Sequence, residues 1–161
     1  MVAPTAERIE REAAAAGGAT AISLGTTVIT LSSDSVLALV RRLKAELEFD
    51  LLVDVTAVDW PQRTPRFDVV YHFYSTKHFG RVRLKTMVGE TSPVVDSLNS
   101  LYGSAGFMER ECHDMYGIVF RGNADLRPIL LYEGFVGHPL RKDYPKLAEQ
   151  PLVPYRTTER L

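Results

Sequence analysis

The sequence is short of cysteine, of long apolar runs and of net charge. Its single cysteine, Cys112, can form no intrachain disulfide and cannot supply the thiolates of an iron–sulfur cluster. No apolar run reaches the roughly 20 residues that a membrane-spanning helix needs. The net charge is −1, so no overall field attracts a nucleic acid or an anionic membrane. We therefore expect neither a cofactor cluster, nor a membrane span, nor a nucleic-acid partner.

Sequence motifs of enzymes are also missing. No strand is followed by the GxGxxG of dinucleotide-binding folds, and neither a phosphate-binding P-loop nor a GxSxG nucleophile elbow occurs. The first residues are charged and lack the apolar centre of a signal peptide, which predicts a cytoplasmic chain. Arg81, Arg83 and Lys85 share one predicted strand face and could attract RNA, but a solvated strand face is the favoured interpretation.

Hydrophobic periodicity predicts an α+β fold with a mostly antiparallel sheet, helices packed on it and an extended irregular C-terminal arm. Residues 66–75 and 80–88 alternate apolar and polar side chains, which indicates strands with one covered face. Residues 51–58 are nearly all apolar and predict a central strand covered on both faces. Strands are predicted at Thr20–Leu24, Thr27–Leu31, Leu51–Val58, Arg66–Ser75 and Gly80–Val88. Helices are predicted at residues 4–16, 35–47, 92–103 and from Phe107 to a stop at Gly117.

The last predicted helix introduces the most informative part of the chain. Its apolar face is predicted to hold Phe107, Met108, Cys112 and Met115, with Cys112 as a small buried hydrophobe. About thirty residues after Gly117 then show no sustained period, yet they carry apolar side chains among glycines and prolines. Such a segment must lie on another surface. We predict an N-terminal helical extension (1–19), an α+β domain (20–120) and a partner-binding arm (121–161).

Charged residues around this helix are the candidate functional residues. Charges on a short apolar helix are tolerated when each is paired, so we expect them to brace the arm or to contact a partner chain. By composition alone, a tail packed on its own domain is an equal alternative. The candidates are Glu109, Arg110, Glu111, Asp114, Arg127, His138, Arg141, Lys142 and Asp143. Glu109 and His113, four residues apart, are a remote alternative as a metal pair of a hydrolase; otherwise no catalytic, cofactor-binding or metal-binding residue is expected.

Three segments carry a family resemblance. ERECHDMYGIVF (109–120), DLRPILL (125–131) and GHPLRKDYP (137–145) resemble the signature of the C-type subunit, or 30-kDa subunit, of proton-translocating NADH-quinone oxidoreductase, respiratory complex I. The resemblance extends more weakly over residues 20–145. The sequence departs from the family pattern at Asn123, where the family usually has His or Lys, and at Ala124, Pro128, Tyr132, Gly134 and Phe135.

The resemblance implies a non-redox structural role in the peripheral arm of that complex. The chain would pack against the large D-type subunit of the quinone site, and the FMN and iron–sulfur clusters would belong to partner subunits. Its implied location is the cytoplasmic face of the cell membrane, where the complex holds it as a peripheral subunit. The signature also resembles the J-type subunit of the ferredoxin-linked complex and subunits of membrane-bound energy-converting hydrogenases, which stay open as alternatives.

Overall fold

The computed structural model describes residues 6–147 and residue 150. In this part of the chain three helices and seven strands follow one another, with a short 3-10 turn at Ser33–Ser35 before the second helix. In chain order the elements are α1 (Ala6–Ala15), β1 (Ala19–Ser23), β2 (Thr26–Leu31), α2 (Val36–Ala45), β3 (Leu51–Asp59), β4 (Phe67–Ser75), β5 (Gly80–Val88), β6 (Val94–Asp96), α3 (Ala105–Tyr116) and β7 (Val119–Arg121).

Five strands form one sheet in the order β1-β2-β5-β4-β3. All neighbours are antiparallel except β2 and β5, which run parallel. One row across the sheet joins Ile29, Leu84, Tyr71 and Val55, and all four side chains are buried on the same face. The predicted α+β class, the mostly antiparallel sheet and the inward faces of β4 and β5 are confirmed.

The three helices cover that face of the sheet. Ile9 and Ala13 of α1, the apolar side of α2, and Ala105 and Cys112 of α3 belong to a single core with the inward residues of the strands. The opposite, outward face of the sheet is not covered by a helix of the described chain. Within residues 6–147, no helix has the length and apolar content to cross a bilayer. The predicted helix at residues 4–16 is confirmed from Ala6 on, since Pro4 and Thr5 lie outside the described residues.

The prediction of a central strand at residues 51–58 is wrong. β3 lies at the edge of the sheet, and Leu51, Val53 and Val58 are exposed. Leu52, Val55 and Ala57 face the core, and a register shift between Leu52 and Asp54 interrupts the alternation of the strand. Val and Leu are favourable in any strand, so an apolar run does not by itself show that both faces are covered.

The predicted helix at residues 92–103 is also wrong. Val94–Asp96 form β6, which pairs in parallel with β7 as a separate two-stranded sheet. Single turns follow, in which the amides of Leu101 and Tyr102 both donate to the carbonyl of Leu98. These turns keep Leu98 and Tyr102 buried at helical spacing, whereas the β-branched Val94 and Val95 adopt the strand conformation that suits them.

The last helix is present, but its buried face differs from the predicted one. α3 begins at Ala105, its Phe107 is exposed, and two carboxylates, Glu109 and Asp114, are buried beside Cys112. The prediction of a buried Cys112 is confirmed, and burial raises the pKa of its thiol. The predicted stop at Gly117 is confirmed, because Gly117 has a left-handed φ of 75° and its amide donates to the carbonyl of His113.

Candidate functional site

The candidate site is the junction between α3 and the segment that follows β7. We call residues 122–147 the arm. The described part of the arm contains no helix or strand, yet it lies against the end of α3 and the loop between β3 and β4. Hydrogen bonds and ion pairs attach it to the domain, and we call three of these places the Asp114, helix-end and Arg66 anchors.

At the Asp114 anchor, a buried carboxylate of α3 binds the arm backbone. Its Oδ2 accepts hydrogen bonds from the amides of Ile129, Leu130 and Leu131 at 2.7, 3.0 and 3.3 Å. Burial pushes the pKa of Asp114 upward, but these three donors and nearby His113 outweigh it, so that the net pKa is lowered. Three consecutive amides therefore converge on one anionic oxygen, which fixes the direction of the arm.

At the helix-end anchor, the arm caps the last carbonyls of α3. His138 Nδ1 lies 2.9 Å from the carbonyl of Asp114, the amide of Leu140 donates to Met115, and Arg141 Nε donates to Tyr116 at 2.7 Å. These carbonyls have no partner within the helix and need one from outside it.

Gly117 allows this close approach of the arm. A Cβ at Gly117 would collide with the imidazole of His138 and would lie 2.7 Å from Nη2 of Arg141. Glycine is therefore required here both for its left-handed backbone and for the space it leaves.

At the Arg66 anchor, a buried guanidinium joins the start of β4, the end of β3 and the arm. Arg66 donates to both oxygens of Asp59 at 2.7 and 2.8 Å, and to Asp143 of the arm at 2.8 Å. The side chains of Arg66 and Asp59 are 7% and 0% exposed, and Asp59 also accepts from the amide of Lys142. A third carboxylate, Glu90, accepts from Nη1 of Arg66.

The charges of this cluster stabilise one another. The hydrogen bonds from Arg66 lower the pKa of Asp59 and of Asp143, while Asp59 first and Asp143 second raise the pKa of Arg66. A buried ion pair with every donor and acceptor satisfied holds its geometry strictly, and loss of one partner leaves an uncompensated charge. The anchor therefore fixes the arm to the sheet domain at a defined point.

Two further candidates act on the first part of the arm. Arg110 donates to the carbonyls of Arg127 and Pro128, both at 2.9 Å, and lies 3.8 Å from Asp125. Arg127 itself forms a two-pronged ion pair with Asp125 on the exposed surface. Arg110 thus contacts the arm through its backbone, whereas Arg127 stiffens a local turn.

Glu109 joins three segments in the interior. Its carboxylate accepts from the hydroxyl of Ser97 and the amide of Leu98, both at 2.7 Å, and from Asn123 at 2.9 Å. Asn123 also accepts from the amide of Asp125, so that it links Glu109 to the first turn of the arm. Burial raises the pKa of Glu109, and the hydrogen bonds from Ser97, Leu98 and Asn123 offset this only in part.

The structure separates the predicted metal pair. Glu109 points to Ser97 and Asn123, whereas His113 Nδ1 bonds the carbonyl of Ile118. Among the residues described, no group of three or more metal-ligating side chains occurs. Glu111 is exposed, and Lys142 contributes its backbone amide to the Arg66 anchor rather than its side chain.

Arg66 and Asp59 are the site residues that the sequence analysis missed. The signal was weak: a charged residue on each side of a proline-rich loop, at Asp59 and Arg66, next to strands that are otherwise apolar. Their arm partner Asp143 lies 77 residues further along the chain than Arg66. Spacing within a single element could not reveal this contact.

The outer side of the arm exposes apolar side chains. Leu130, Val136 and Leu140 are 62, 74 and 49% exposed, and Leu147 is almost fully exposed. Phe135 and Tyr144 instead stack on each other with ring centroids 6.0 Å apart. The arm thus uses polar groups towards its own domain and presents much of its apolar surface outward. This arrangement suits a docking surface.

Comparison with known proteins identifies the family. Residues 29–150 match the family described as respiratory-chain NADH dehydrogenase, 30 Kd subunit. The C-type subunit of NADH-quinone oxidoreductase from Sinorhizobium medicae is 45% identical over 126 residues, which are 77% of this chain and 62% of that protein. The corresponding protein of Geotalea uraniireducens is 42% identical over 121 residues, 75% of this chain and 74% of that protein.

Solved structures agree. The trypsin-resistant fragment (1–134) of Nqo5 is 32% identical and superposes with a TM-score of 0.69 over 74% of this chain and 98% of that one. A chain of an archaeal membrane-bound sulfane sulfur reductase, 23% identical, shares the fold with a TM-score of 0.76 over 88% of this chain and 86% of that one. The chain spans 62% of the length of its relative from Sinorhizobium medicae. The chain belongs to the family of the 30-kDa subunit of respiratory-chain NADH dehydrogenase.

Proposed function

We propose that this chain is a non-redox structural subunit in the peripheral arm of a proton-translocating NADH-quinone oxidoreductase. It packs through its own arm, residues 122–147, against the large D-type subunit that helps to form the quinone site. Electrons pass from NADH to quinone through FMN and iron–sulfur clusters that partner subunits hold, so this chain contributes shape and no redox centre. The complex holds it at the cytoplasmic face of the membrane.

The observation that carries this proposal is that the arm binds its own domain through polar groups and leaves apolar side chains exposed. Its backbone amides and charged side chains are bound by Asp114, Arg66 and the end of α3. Its exposed apolar side chains, Leu130, Val136, Leu140 and Leu147, belong to the same irregular segment. An apolar surface on a rigid support is the usual core of a stable protein–protein interface.

The subunit role agrees with the names of the relatives, which are C-type subunits of NADH-quinone oxidoreductases. The same names favour NADH over ferredoxin as the electron donor. The site chemistry supports a role without electron transfer, since the buried Cys112 is the only thiol in the sequence.

The test introduces charge on the outer side of the arm. In Leu130→Asp with Val136→Asp, the isolated chain should melt like the unmodified chain, whereas co-purification with the D-type subunit and NADH-quinone activity of the membranes should be lost. A desolvated, unpaired carboxylate in an interface core weakens binding strongly. Ala14→Asp with Ala38→Asp is the matched control, because both alanines are exposed on the helical layer.

A second pair of variants tests the cations that border the arm. Charge reversal of Arg110, or of Arg141 together with Lys142, should weaken assembly more than it lowers the melting temperature of the isolated chain. If the Leu130 and Val136 variant still co-purifies fully with the D-type subunit, the proposed interface is wrong. A visible flavin or cluster spectrum in the isolated chain would contradict the proposed absence of a redox centre.

A further inference from the structure

The outward face of the sheet carries a row of cations along β5. Arg81, Arg83 and Lys85 alternate with core residues, and within the described chain none of them lies within 4.0 Å of a carboxylate oxygen. Nε of Arg83 is buried and, among the described residues, has no hydrogen-bond partner. Arg81 is held over the ring of Tyr74, 5.6 Å from its centroid. Among the described residues, the three cations therefore have no ion-pair partner.

The neighbours of this row add little negative charge. His72 of β4 pairs with Arg83, and Asp54 of β3 pairs with His72, which places one carboxylate two strands away from Arg83. The other carboxylate nearby, Asp68 of β4, is already bound by Arg63 and Trp60. A shallow concavity runs between Asp54, His72, Arg81 and Arg83, so the row borders a depression.

Two exposed apolar side chains stand at the end of the same row. Leu24 lies in the two-residue turn between β1 and β2, and Phe79 lies in the turn before β5; they are 95 and 80% exposed. Because β2 and β5 run parallel with Thr27 beside Val82, the two turns are neighbours in space. Leu24 and Phe79 have φ of 50° and 55°, a conformation that asparagine or glycine adopts at lower cost.

We propose that this surface, formed by Leu24, Phe79, Arg81, Arg83 and Lys85, binds an extended acidic segment of a neighbouring protein subunit, with an apolar side chain of that segment against Phe79. Alternate residues of β5 lie about 6.8 Å apart, and carboxylates at alternate positions of an extended segment have the same spacing. The exposed apolar pair requires a partner with apolar side chains. A nucleic acid fits less well, because Arg81 already covers the ring of Tyr74, on which a base could otherwise stack.

This inference rests on the proposed function, since the neighbour is another subunit of the same complex. It concerns the sheet face, whereas the proposed interface with the D-type subunit uses the arm. The sheet-face inference can therefore fail while the proposed function stands.

Zero-length carbodiimide cross-linking of the complex, purified through a tag on the full chain, tests the contact. Lys85 and the introduced amine of Arg83→Lys should each become joined to an Asp or Glu of one identified acidic stretch in another subunit. Lys77 is the internal reference, because its partner Glu48 belongs to this chain. Mapping of the linked residues by mass spectrometry gives the readout.

Charge reversal gives an independent measurement. In Arg81→Glu with Arg83→Glu, the subunit that carries the acidic stretch should co-purify about tenfold less, because like charges then face each other. Arg11→Glu with Arg41→Glu is the matched control, since both residues are exposed on the helical layer. Neither double variant should change the melting temperature of the isolated chain by more than a few degrees.

Each outcome decides the proposal. If the unmodified chain joins no complex, the proposed function fails and this inference fails with it. If the chain assembles but Lys85 links only within the chain or to a second copy of it, or if co-purification is unchanged by reversal, the sheet-face inference alone is overturned. Loss of the contact after ribonuclease treatment would instead identify RNA and would also overturn it.

Discussion

The sheet domain and the arm are stabilised in opposite ways. In the domain, the core consists of apolar side chains such as Ile29, Val69 and Leu84, which are fully buried. In the arm, backbone amides and charged groups turn towards the domain, while Leu130 and Val136 face outward. The first arrangement derives its stability from apolar area removed from water, and the second from hydrogen bonds and ion pairs that exclude water.

This difference predicts that separate perturbations disrupt the two regions. A charge in the core should unfold the domain and release the arm with it. A change at an anchor should release the arm but leave the domain folded. A change on the outer side of the arm should affect neither region in the isolated chain, although the proposed interface would be lost.

The largest effect is expected for Ile29→Asp. Ile29 is fully buried in β2, so an unpaired carboxylate there should cost more than about 4 kcal/mol and prevent folding. Thr30→Asp, on the outward face next to Lys85, should change the free energy of unfolding by at most about 0.5 kcal/mol. Urea unfolding followed by circular dichroism compares them. Equal destabilisation would contradict the assignment of the two faces.

Arg66→Met should have the next largest effect. Removal of this guanidinium leaves Asp59 buried without its partner and should destabilise the protein by about 3–5 kcal/mol. Lys77→Met, which breaks a pair with Glu48 whose two side chains are 44 and 39% exposed, should cost less than about 1 kcal/mol.

Amide hydrogen exchange distinguishes release of the arm from global unfolding. In Arg66→Met, the amides of Leu140 and Lys142 should exchange faster than those of the core strands, since their acceptors belong to the anchors. Retained protection of these two amides, together with faster exchange throughout β4 and β5, would contradict a separate role for the Arg66 anchor.

A smaller, pH-dependent effect should separate the two buried carboxylates of α3. Asp114 has a folded pKa below its ordinary value of 3.8, so its contribution to stability is present above that value and is lost as the pH falls through the folded pKa. Glu109 has a folded pKa above its ordinary 4.5, so its contribution is present below that value and is lost as the pH rises through the folded pKa.

Asp114→Asn and Glu109→Gln should therefore change the pH profile in opposite directions. We measure the free energy of unfolding by urea titration from pH 3 to 7. In Asp114→Asn it should decrease less as the pH falls. In Glu109→Gln it should decrease less as the pH rises. Profiles that change in the same direction in both variants would show that the two carboxylates share one electrostatic environment.

The smallest effect on the isolated chain is expected on the outer side of the arm. Leu130→Ser and Val136→Ser replace largely exposed side chains and should each change the free energy of unfolding by less than about 0.5 kcal/mol. Leu126→Ser is the control, because Leu126 packs against the core and its loss should be larger. A large destabilisation by Leu130→Ser would show that this side chain serves the chain's own fold.

The sequence was sufficient for those parts of the fold that periodicity dictates. The sequences of β4 and β5 alternate, and their inward residues are buried as the alternation predicts, although Asp68 and Val70 on the other face of β4 are buried too. α2 and the stop of α3 at Gly117 follow from a 3.6-residue period and from a left-handed C-cap. The family resemblance rested on local motifs of the same kind.

The rest depends on contacts between distant residues. In the sequence, Glu109 and Asp114 have the pattern of surface charges. In the structure, the amides of Leu98 and of residues 129–131 bind them in the interior. In the sequence, Arg66 resembles a loop residue, and only its hydrogen bond to Asp143 of the arm shows its role. Val94 and Val95 have helical spacing with Leu98, and pairing with β7 decides their conformation. In each case a later segment supplies the interaction that determines the outcome.

The parallel pairing of β2 with β5 also constrains how the chain can fold during synthesis. Strands β3, β4 and β5 emerge consecutively and can pair as soon as each turn closes. The hairpin β1–β2 emerges first, but its sheet neighbour, the segment around Val82, is translated only after α2, β3 and β4. Until then β2 has an unpaired edge, the feature that promotes association between nascent chains. The N-terminal hairpin is thus the first part of the sheet to be synthesised, yet it can join the sheet only after β5 has been made.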